Sequence, residues 1–225
     1  MTHDHTSPAA DAATDAEATP FGRPYWEDRY AEPGFTWSGN PNPVLVTEST
    51  PLTPGTALDI GSGEGGDAIW LATQGWRVTG IDISQNALDK ARGRAEASAP
   101  TAATRITWEQ HDLAEWAPEP GSFDLVSSQF MHLPNPIRTN LFRALAAAVA
   151  PGGTLLIVGH DAADFAPDAH QHHSDMMFTA ADVVAAIEGE HLRIEAAESR
   201  SRVGRRPDGT TGDVRDIVVV AVRPA

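Results

Sequence analysis

Several acidic and histidine side chains of this sequence follow or end short apolar segments, where they could take part in binding or proton transfer. Asp59, Asp82 and Asp112 occur in TALDI, RVTGID and QHDLAEW, and His132 and His160 follow FDLVSSQFM and TLLIVG. A carboxylate in such a position can accept charge-assisted hydrogen bonds from a ligand. An imidazole changes its charge near neutral pH and can act as a general acid or base. These residue types indicate a ligand-binding site with a proton-transferring group beside it.

The glycine-rich segment LDIGSGEGGD contains the first of these carboxylates. Glycines allow a backbone to come close to a ligand, and the helix expected after the loop offers unpaired N–H groups. Gly61, Gly63 and Gly66 fit the dinucleotide pattern GxGxxG. With Asp59 before them and Gly65 in place of Gly66, they fit DxGxGxG, the pattern of enzymes that bind S-adenosylmethionine. The glycines by themselves leave both cofactors open.

Two carboxylates bear on the choice between these cofactors. Asp82 lies about 20 residues after Gly61, the spacing of a ribose-binding acid, which suits either cofactor because both contain a ribose. Asp59 would repel a pyrophosphate but favours a ligand with an amino group and a sulfonium. The balance therefore favours S-adenosylmethionine, and a nicotinamide-dependent oxidoreductase is the alternative.

The elements that must position these residues alternate between strand-like and helical segments, which is typical of a mostly parallel sheet covered on both faces. The predicted strands are Thr56 to Ile60, Arg77 to Asp82, Arg105 to Gln110, Phe123 to Ser128 and Thr154 to Gly159. The predicted helices are Gly66 to Gln74, Ser84 to Glu96, Ile137 to Val149 and TAADVVAAIEG. Two β-rich segments, LRIEAAESRSR and DVRDIVVVAVR, then predict a hairpin. The fold class is α/β, a Rossmann-like doubly wound seven-stranded sheet, mostly parallel with an antiparallel C-terminal hairpin.

The N-terminal segments differ from this pattern. Residues 1–20 are poor in large apolar side chains, which predicts a disordered tail. Residues 21–225 are predicted to form a single domain with an N-terminal helical lead-in, 21–54, in which PYWEDRYA places aromatic residues at helical spacing behind a proline.

The composition limits the partners that we expect. Thirty-one acidic and 16 basic residues give a net charge of −15, which disfavours nucleic acid and anionic membrane surfaces. The sequence contains no cysteine, so thiol chemistry and disulfides are excluded. We find no signal peptide or membrane-spanning segment in the sequence and therefore expect a cytoplasmic location.

Five segments in the correct order resemble the motifs of class I S-adenosylmethionine-dependent methyltransferases: LDIGSGEGG, GIDIS, QHDLAEW, FDLVSSQFMHLP and VAPGGTLLIVG. The lead-in YWEDRYAEPGFTWSGNPN and the segment DAIWLATQGWRVTGID are most similar to small bacterial enzymes of the tellurite-resistance and thiopurine type. The sequence departs from many of these relatives at Ser62, where they carry cysteine. The resemblance implies S-adenosylmethionine as the cofactor.

The resemblance also implies how the cofactor is held. Asp82 would accept hydrogen bonds from both ribose hydroxyls, Asp59 would hold the amino group of the methionine part, and Asp112 would bind the adenine amino group. The remaining cofactor-binding residues would pass under the methionine part, contact the adenine or border the pocket: Gly61, Ser62, Gly63, Gly65, Ile83, Leu113, Gln129, Trp37 and Tyr25. Taken singly, each aspartate could instead cap a helix or a turn.

The acceptor side is less defined. His132, His160 and Asp161 are the candidates for acid–base catalysis, although a histidine at a strand end can simply cap a carbonyl group. The acceptor is expected to be a small molecule with an O, N, S or metalloid atom as nucleophile, and the protein to be a monomer or homodimer. We expect no functional metal at the cluster HQHHSD, His170 to Asp175, which with Phe165, Met176, Met177 and Phe178 is predicted to form a lid. A non-catalytic protein that retained the cofactor pocket is a further alternative.

Overall fold

The computed structural model describes residues 22–164, 176–205 and 210–225. The predicted disordered tail, residues 1–20, lies outside this part of the chain, as do Phe165 and the cluster from His170 to Asp175. The described elements, in chain order, are α1 (Arg23–Ala31), α2 (Pro43–Ser49), β1 (Thr56–Ile60), α3 (Gly66–Thr73), β2 (Arg77–Asp82), α4 (Gln85–Ser98), α5 (Pro100–Ala103), β3 (Ile106–Gln110), β4 (Phe123–Gln129), α6 (Ile137–Ala148), β5 (Val149–His160), α7 (Ala180–Ile187), β6 (Arg193–Arg205) and β7 (Thr211–Val222).

The strands form one seven-stranded sheet in the order β3-β2-β1-β4-β5-β7-β6. The first five strands are parallel, and β7 pairs antiparallel with both β5 and β6. The predicted fold class is therefore confirmed, including the C-terminal hairpin. The chain reverses its direction of winding between β1 and β4, and open α/β sheets bind ligands at the carboxyl ends of the strands beside such a point.

Side-chain alternation along β1 explains why the sheet is covered on both faces. Leu58 belongs to a buried cluster with Leu145 of α6 and Val183 of α7. Ala57 belongs to a second cluster, which includes Leu71 of α3. Asp59 shares the face of Ala57 because residues two apart in a strand point the same way. A carboxylate thus lies inside an otherwise apolar strand, next to its carboxyl end.

Two elements differ from, or add detail to, the boundaries predicted from the sequence. The fifth strand begins at Val149 rather than Thr154, directly after the preceding helix ends at Ala148. Within the predicted helical lead-in, residues Pro43–Ser49 form helix α2, whose N-terminus is capped by the Asn42 side chain accepting the N–H of Val44 at 2.8 Å. These differences leave the carboxyl ends of the strands unchanged within one residue.

Candidate functional site

Four adjacent strands end at the same edge of the sheet and bring the predicted site residues together. Asp82 is the last residue of β2, Gln129 of β4 and His160 of β5. In the register, Ile60 at the end of β1 lies beside both Ile81 and Ser128. The sequence prediction that these residues share one site is consistent with this arrangement, because parallel strands present their carboxyl ends to the same side.

Asp82 is fixed at the junction between the glycine loop and α4. One carboxylate oxygen accepts the N–H of Gly63 at 2.8 Å, and the other accepts the N–H of Ser84 at 2.9 Å. Burial raises the pKa of Asp82, and these hydrogen bonds oppose the rise. Each oxygen can accept more than one hydrogen bond, so the carboxylate can still bind two neighbouring hydroxyl groups of a ligand.

Asp59 is almost completely buried, with 2% of its surface exposed. Burial raises the pKa of Asp59 well above its ordinary value, and nearby Asp67 raises it further. The backbone N–H of Ala68 opposes this effect. The Oδ2 atom has no hydrogen-bond partner within the described part of the chain. A buried acidic oxygen without a donor fits a ligand that carries an amino group.

The glycine loop is overlaid by side chains from other parts of the chain. Gly61 has φ of +68°, and a Cβ there would lie 2.4 Å from the sulfur of Met131. Gly63 has φ of +51°, and its Cβ would lie 3.1 Å from the hydroxyl oxygen of Tyr30. Both positions therefore favour glycine because of their left-handed backbone conformation, and an added Cβ would press on a neighbouring side chain.

Gly65, by contrast, faces the side chains behind the loop. A Cβ there would lie 2.8 Å from the Trp108 ring and 3.0 Å from the Cβ of Ala91. Its position in the DxGxGxG pattern is thus explained by packing of the loop and α3 against the sheet and α4. A ligand-binding role for Gly65, which the resemblance implied, remains a prediction.

Glu64 joins the N-terminal lead-in to the glycine loop. Its carboxylate accepts the backbone N–H groups of Thr36 at 3.0 Å and Trp37 at 2.9 Å. The ammonium group of Lys90 lies 3.5 Å away. Glu64 is 2% exposed, so these contacts replace water around a buried charge. Sequence reasoning missed Glu64 because it occupies a variable position of the glycine pattern.

An acidic residue of the lead-in itself, Glu27, caps the N-terminus of α4. It accepts the Ser84 hydroxyl at 2.7 Å and the backbone N–H groups of Gln85 at 2.9 Å and Asn86 at 3.1 Å. Burial alone would raise the pKa of Glu27, but these hydrogen bonds hold it below its ordinary value. The lead-in is therefore docked directly beside Asp82.

The lead-in aromatics divide into buried and exposed groups. Tyr30 is 4% exposed, and its hydroxyl oxygen accepts the indole N–H of Trp37 at 2.9 Å. Trp37 is 51% exposed and lies close to Gly63. Tyr25 packs edge-on against Trp26, with 42% of its surface exposed. Of the two predicted pocket residues, Trp37 thus lies beside the glycine loop, and the pocket role of Tyr25 remains a prediction.

The residues predicted to hold the adenine lie just after β3, next to β2. The Asp112 carboxylate accepts the N–H of Ala114 at 2.9 Å, which shapes the turn that carries Leu113. The side-chain amide of Gln110 donates to the carbonyl oxygen of Ile83 at 2.9 Å. Ile83 and Asp112 consequently lie at the ends of two paired strands. Their adenine contacts remain predictions.

Buried polar atoms without partners are concentrated at this edge of the sheet. Within residues 22–164, 176–205 and 210–225, six buried side-chain atoms lack a hydrogen-bond partner. One belongs to Arg94, and the other five are Asp59 Oδ2, Ser62 Oγ, Ser128 Oγ, Gln129 Oε1 and His132 Nδ1. A buried polar group without a partner costs about 1–3 kcal/mol, which a bound ligand can recover. Donors and acceptors of this kind fit a ligand as polar as S-adenosylmethionine.

His132 lies in an apolar environment beyond the end of β4. Its ring stacks on that of His160, with centroids 5.3 Å apart, and lies 5.6 Å from the Phe178 ring. Burial lowers the pKa of His132 to about 4, and the neighbouring His160 contributes to the decrease. The imidazole is therefore neutral at pH 7. Phe178, predicted to belong to a lid, is 2% exposed and forms part of the wall behind it.

His160 faces a carboxylate from the C-terminal hairpin. Its Nδ1 atom lies 3.7 Å from Oδ1 of Asp216 on β7. The guanidinium group of Arg202 on β6 donates to both oxygens of Asp216. Asp161, predicted as an acid–base residue beside His160, accepts the Ser199 hydroxyl at 2.6 Å. Sequence reasoning missed Asp216, although an aspartate within the apolar segment DVRDIVVVAV was the available sign.

Comparisons with known proteins agree with this arrangement. The family model described as "Methyltransferase domain" matches residues 57–153. A 2-heptyl-1-hydroxyquinolin-4(1H)-one methyltransferase of Mycobacteroides abscessus is 30% identical over 141 residues, 61% of each chain. A ubiquinone biosynthesis O-methyltransferase of Xanthomonas campestris is 35% identical over 121 residues, which cover 52% of this chain and 48% of that protein. The chain therefore spans between about half and three fifths of the length of these relatives.

Structural similarity to solved proteins covers more of the chain than the sequence similarity does. A structure solved in work on the conversion of a disulfide bond into a thioacetal group during echinomycin biosynthesis superposes with a TM-score of 0.71 at 22% identity. The match covers 90% of this chain and 92% of the other. At this identity the likeness shows the fold. None of the helices in the described ranges is long and apolar enough to cross a membrane.

Proposed function

Since the chain carries a methyltransferase domain and has the fold of class I S-adenosylmethionine-dependent methyltransferases, we propose that the protein transfers a methyl group from S-adenosylmethionine to a small molecule. The observation that carries this proposal is the concentration of partnerless buried polar atoms around the glycine loop and the end of β4. When bound, the cofactor supplies a methyl group that is activated by a sulfonium.

The protein would bind the cofactor through residues of three strand ends. Asp82 would hold the ribose, because both of its oxygens are already oriented by backbone N–H groups. Asp59 would hold the amino group of the methionine part with its free oxygen. The hydroxyl of Ser62 and the amide oxygen of Gln129 would gain partners from the same ligand. Orientation of the two substrates and exclusion of water are the main contributions expected of a protein in methyl transfer.

The lead-in, residues 21–54, would belong to the same domain and close the cofactor site. Trp37 lies over Gly63, and Glu64 and Glu27 attach the lead-in to the loop and to α4. An aromatic face beside a sulfonium gains a cation–π interaction of about 1 kcal/mol or more when water is excluded. Trp37 is the lead-in residue best placed for this contact.

A small-molecule acceptor is supported by two kinds of observation. The names of the relatives in the comparison describe methylation of a hydroxyquinolinone and O-methylation in ubiquinone biosynthesis. The net charge of −15 disfavours nucleic-acid acceptors. His132 and His160 would border the acceptor, since both lie beyond the ends of β4 and β5.

Calorimetry with S-adenosylhomocysteine and with NAD⁺ tests the cofactor assignment. We expect tight binding of S-adenosylhomocysteine and none of NAD⁺; the reverse would establish the nicotinamide alternative. The Asp82→Asn variant should bind S-adenosylhomocysteine roughly 10- to 150-fold more weakly, the equivalent of one charged hydrogen bond of about 1.5–3 kcal/mol. Asp89→Asn is the matched control because the Asp89 side chain is 58% exposed on α4. Equal affinities of wild type and Asp82→Asn would refute the ribose assignment.

Turnover separates an enzyme from a non-catalytic protein with a retained cofactor pocket. Formation of S-adenosylhomocysteine from S-adenosylmethionine would be measured with a panel of phenols, N-hydroxy heterocycles, thiols, amines and metalloid oxyanions. We expect turnover with at least one class. Tight cofactor binding without turnover on any of them would favour the non-catalytic alternative.

A further inference from the structure

Asp216 is a buried carboxylate that the cofactor site does not use. It is 1% exposed and occupies β7 immediately before the apolar residues IVVVAV. A buried charge is retained only where it is paired and hydrogen-bonded, because its desolvation is costly. The partners of Asp216 therefore indicate the purpose of its charge.

The two strands that flank β7 supply those partners. His160 at the end of β5 lies directly opposite Asp216 in the sheet register, and Arg202 of β6 lies diagonally across from it. Arg202 donates from two guanidinium nitrogens, a bidentate geometry that fixes the carboxylate plane. Burial alone would raise the pKa of Asp216, but His160 and Arg202 hold it below the ordinary value. Asp216 is thus negatively charged at neutral pH and presents Oδ1 to His160.

Two neighbouring rings contact the ring of His160. The centroid of the Phe130 ring lies 4.5 Å from it and that of the His132 ring 5.3 Å from it. Phe130 has φ of +56°, a left-handed conformation that is uncommon for an aromatic residue and concentrates at functional sites. The side chain of His160 is nevertheless 41% exposed, whereas that of Asp216 is 2% exposed. One ring edge thus faces the carboxylate, and the ring can be reached by a small molecule.

The two histidines differ in their fitness as bases. His132 is desolvated, which favours its neutral form and makes it a weak proton acceptor at pH 7. His160 has the Asp216 carboxylate 3.7 Å from Nδ1, which orients the ring so that Nε2 can act on an acceptor. The same residue type therefore has two different roles at one site.

We propose that His160, positioned by Asp216 and Arg202, removes the proton of a neutral hydroxyl acceptor during methyl transfer, so that the acceptors are phenols or N-hydroxy compounds that are un-ionised at neutral pH. In this step the O–H bond breaks and its proton passes to Nε2 of His160. An oxygen electron pair forms the new O–C bond, and the C–S bond breaks with its electrons remaining on sulfur, which yields S-adenosylhomocysteine. The inference rests on the proposed methyltransferase function and specifies its acceptor class.

Acceptor acidity provides the test, because a base is needed only for an acceptor that still carries its proton. Rates would be measured at pH 7 with phenol, which is neutral, and with pentafluorophenol, which is ionised. His160→Gln should lower kcat/KM for phenol by about 100-fold or more, the usual contribution of a general base, but should change that for pentafluorophenol less than about fivefold. Imidazole added to His160→Gly should restore part of the activity toward phenol. Equal losses with both phenols, or no rescue, would overturn the assignment of His160.

The positioning role of Asp216 has its own variant and control. Asp216→Asn should lower kcat/KM about 10- to 100-fold for phenol and little for pentafluorophenol, with unchanged affinity for S-adenosylhomocysteine. Asp164→Asn is the matched control, since Asp164 pairs with Arg215, the neighbouring β7 residue, whose side chain points to the opposite face. A similar decrease of kcat/KM in both variants would indicate that Asp216 has only a structural role. So would a decrease in Asp216→Asn that is equal for phenol and pentafluorophenol.

The same experiments distinguish failure of this inference from failure of the proposed function. Wild-type protein that binds S-adenosylhomocysteine and methylates thiols or amines but neither phenol would overturn the hydroxyl acceptor and leave the methyltransferase function standing. Wild-type protein that neither binds S-adenosylhomocysteine nor turns over any acceptor would overturn both. Methylation of phenol with the selective losses described above would support both.

Discussion

Replacing Glu64 with glutamine tests whether the lead-in covers the cofactor. The carboxylate accepts two backbone N–H groups, from Thr36 and Trp37, and lies 3.5 Å from the ammonium of Lys90. Glutamine keeps one acceptor oxygen but turns an NH₂ donor toward the second N–H group. One charged hydrogen bond and the ion pair are lost, a cost of about 2–3 kcal/mol at a buried position.

If the docked lead-in closes the site, this cost should appear in cofactor binding. We expect the dissociation constant for S-adenosylhomocysteine, measured by calorimetry, to rise by up to about 30- to 150-fold. Hydrogen exchange of the Thr36 and Trp37 amides should become faster in the same variant. Glu32→Gln is the control, because Glu32 contacts Lys90 through its backbone carbonyl, which the substitution retains.

Two results would contradict this reasoning in different ways. Faster amide exchange with an unchanged dissociation constant would show that the lead-in detaches without affecting the cofactor, so Trp37 would not cover it. Unchanged exchange would show that the hydrogen bonds that Thr36 and Trp37 donate to Glu64 do not hold the lead-in in solution.

Two further predictions concern the glycine loop and its buried acids. Burial raises the pKa of Asp67 from 3.8 to about 6, so the folded state binds a proton more tightly than the unfolded state and the free energy of unfolding should fall as the pH rises from about 4 to about 6. Urea denaturation across this range should show that dependence in wild type and less of it in Asp67→Asn; the same pH dependence of stability in wild type and variant would be inconsistent with the assignment. Gly61→Ala should destabilise the fold by about 1–2 kcal/mol through its left-handed backbone, with an added clash against Met131. In the Gly61→Ala background, thermal melts should show that Met131→Ala restores the stability lost through the clash and not the stability lost through the backbone. If the stability losses of the two substitutions add in full, the contact between a Cβ at position 61 and Met131 is excluded.

Periodicity along the chain was sufficient to predict the sheet and the strand ends that carry the candidate site residues. Asp59, Asp82 and His160 lie at or next to the ends of their strands, so alternation of strand and helix predicts that these ends meet at one edge of the sheet. These inferences depend on contacts local in sequence or on the general handedness of α/β folds.

Long-range polar contacts, by contrast, could not be predicted. Glu64 and Glu27 lie at ordinary-looking positions, and their importance arises from backbone N–H groups that only the docked lead-in and α4 present. Asp216 and Arg202 come from strands whose register with β5 has no signature in either segment. Tyr30 lies beside the glycine loop and accepts the indole N–H of Trp37, a contact that spacing within the lead-in does not indicate.

The two histidines show why residue type alone does not assign a chemical role. His132 and His160 follow neighbouring strands, and each was an equal candidate from the sequence. In the structure His132 is surrounded by rings and stays neutral, whereas the His160 side chain is 41% exposed and has Nδ1 3.7 Å from a buried carboxylate. Two imidazoles in such different surroundings can take different acid–base roles. The acceptor should therefore meet a base at β5 and a neutral imidazole at β4, an arrangement that suits a hydroxyl group losing its proton as it is methylated.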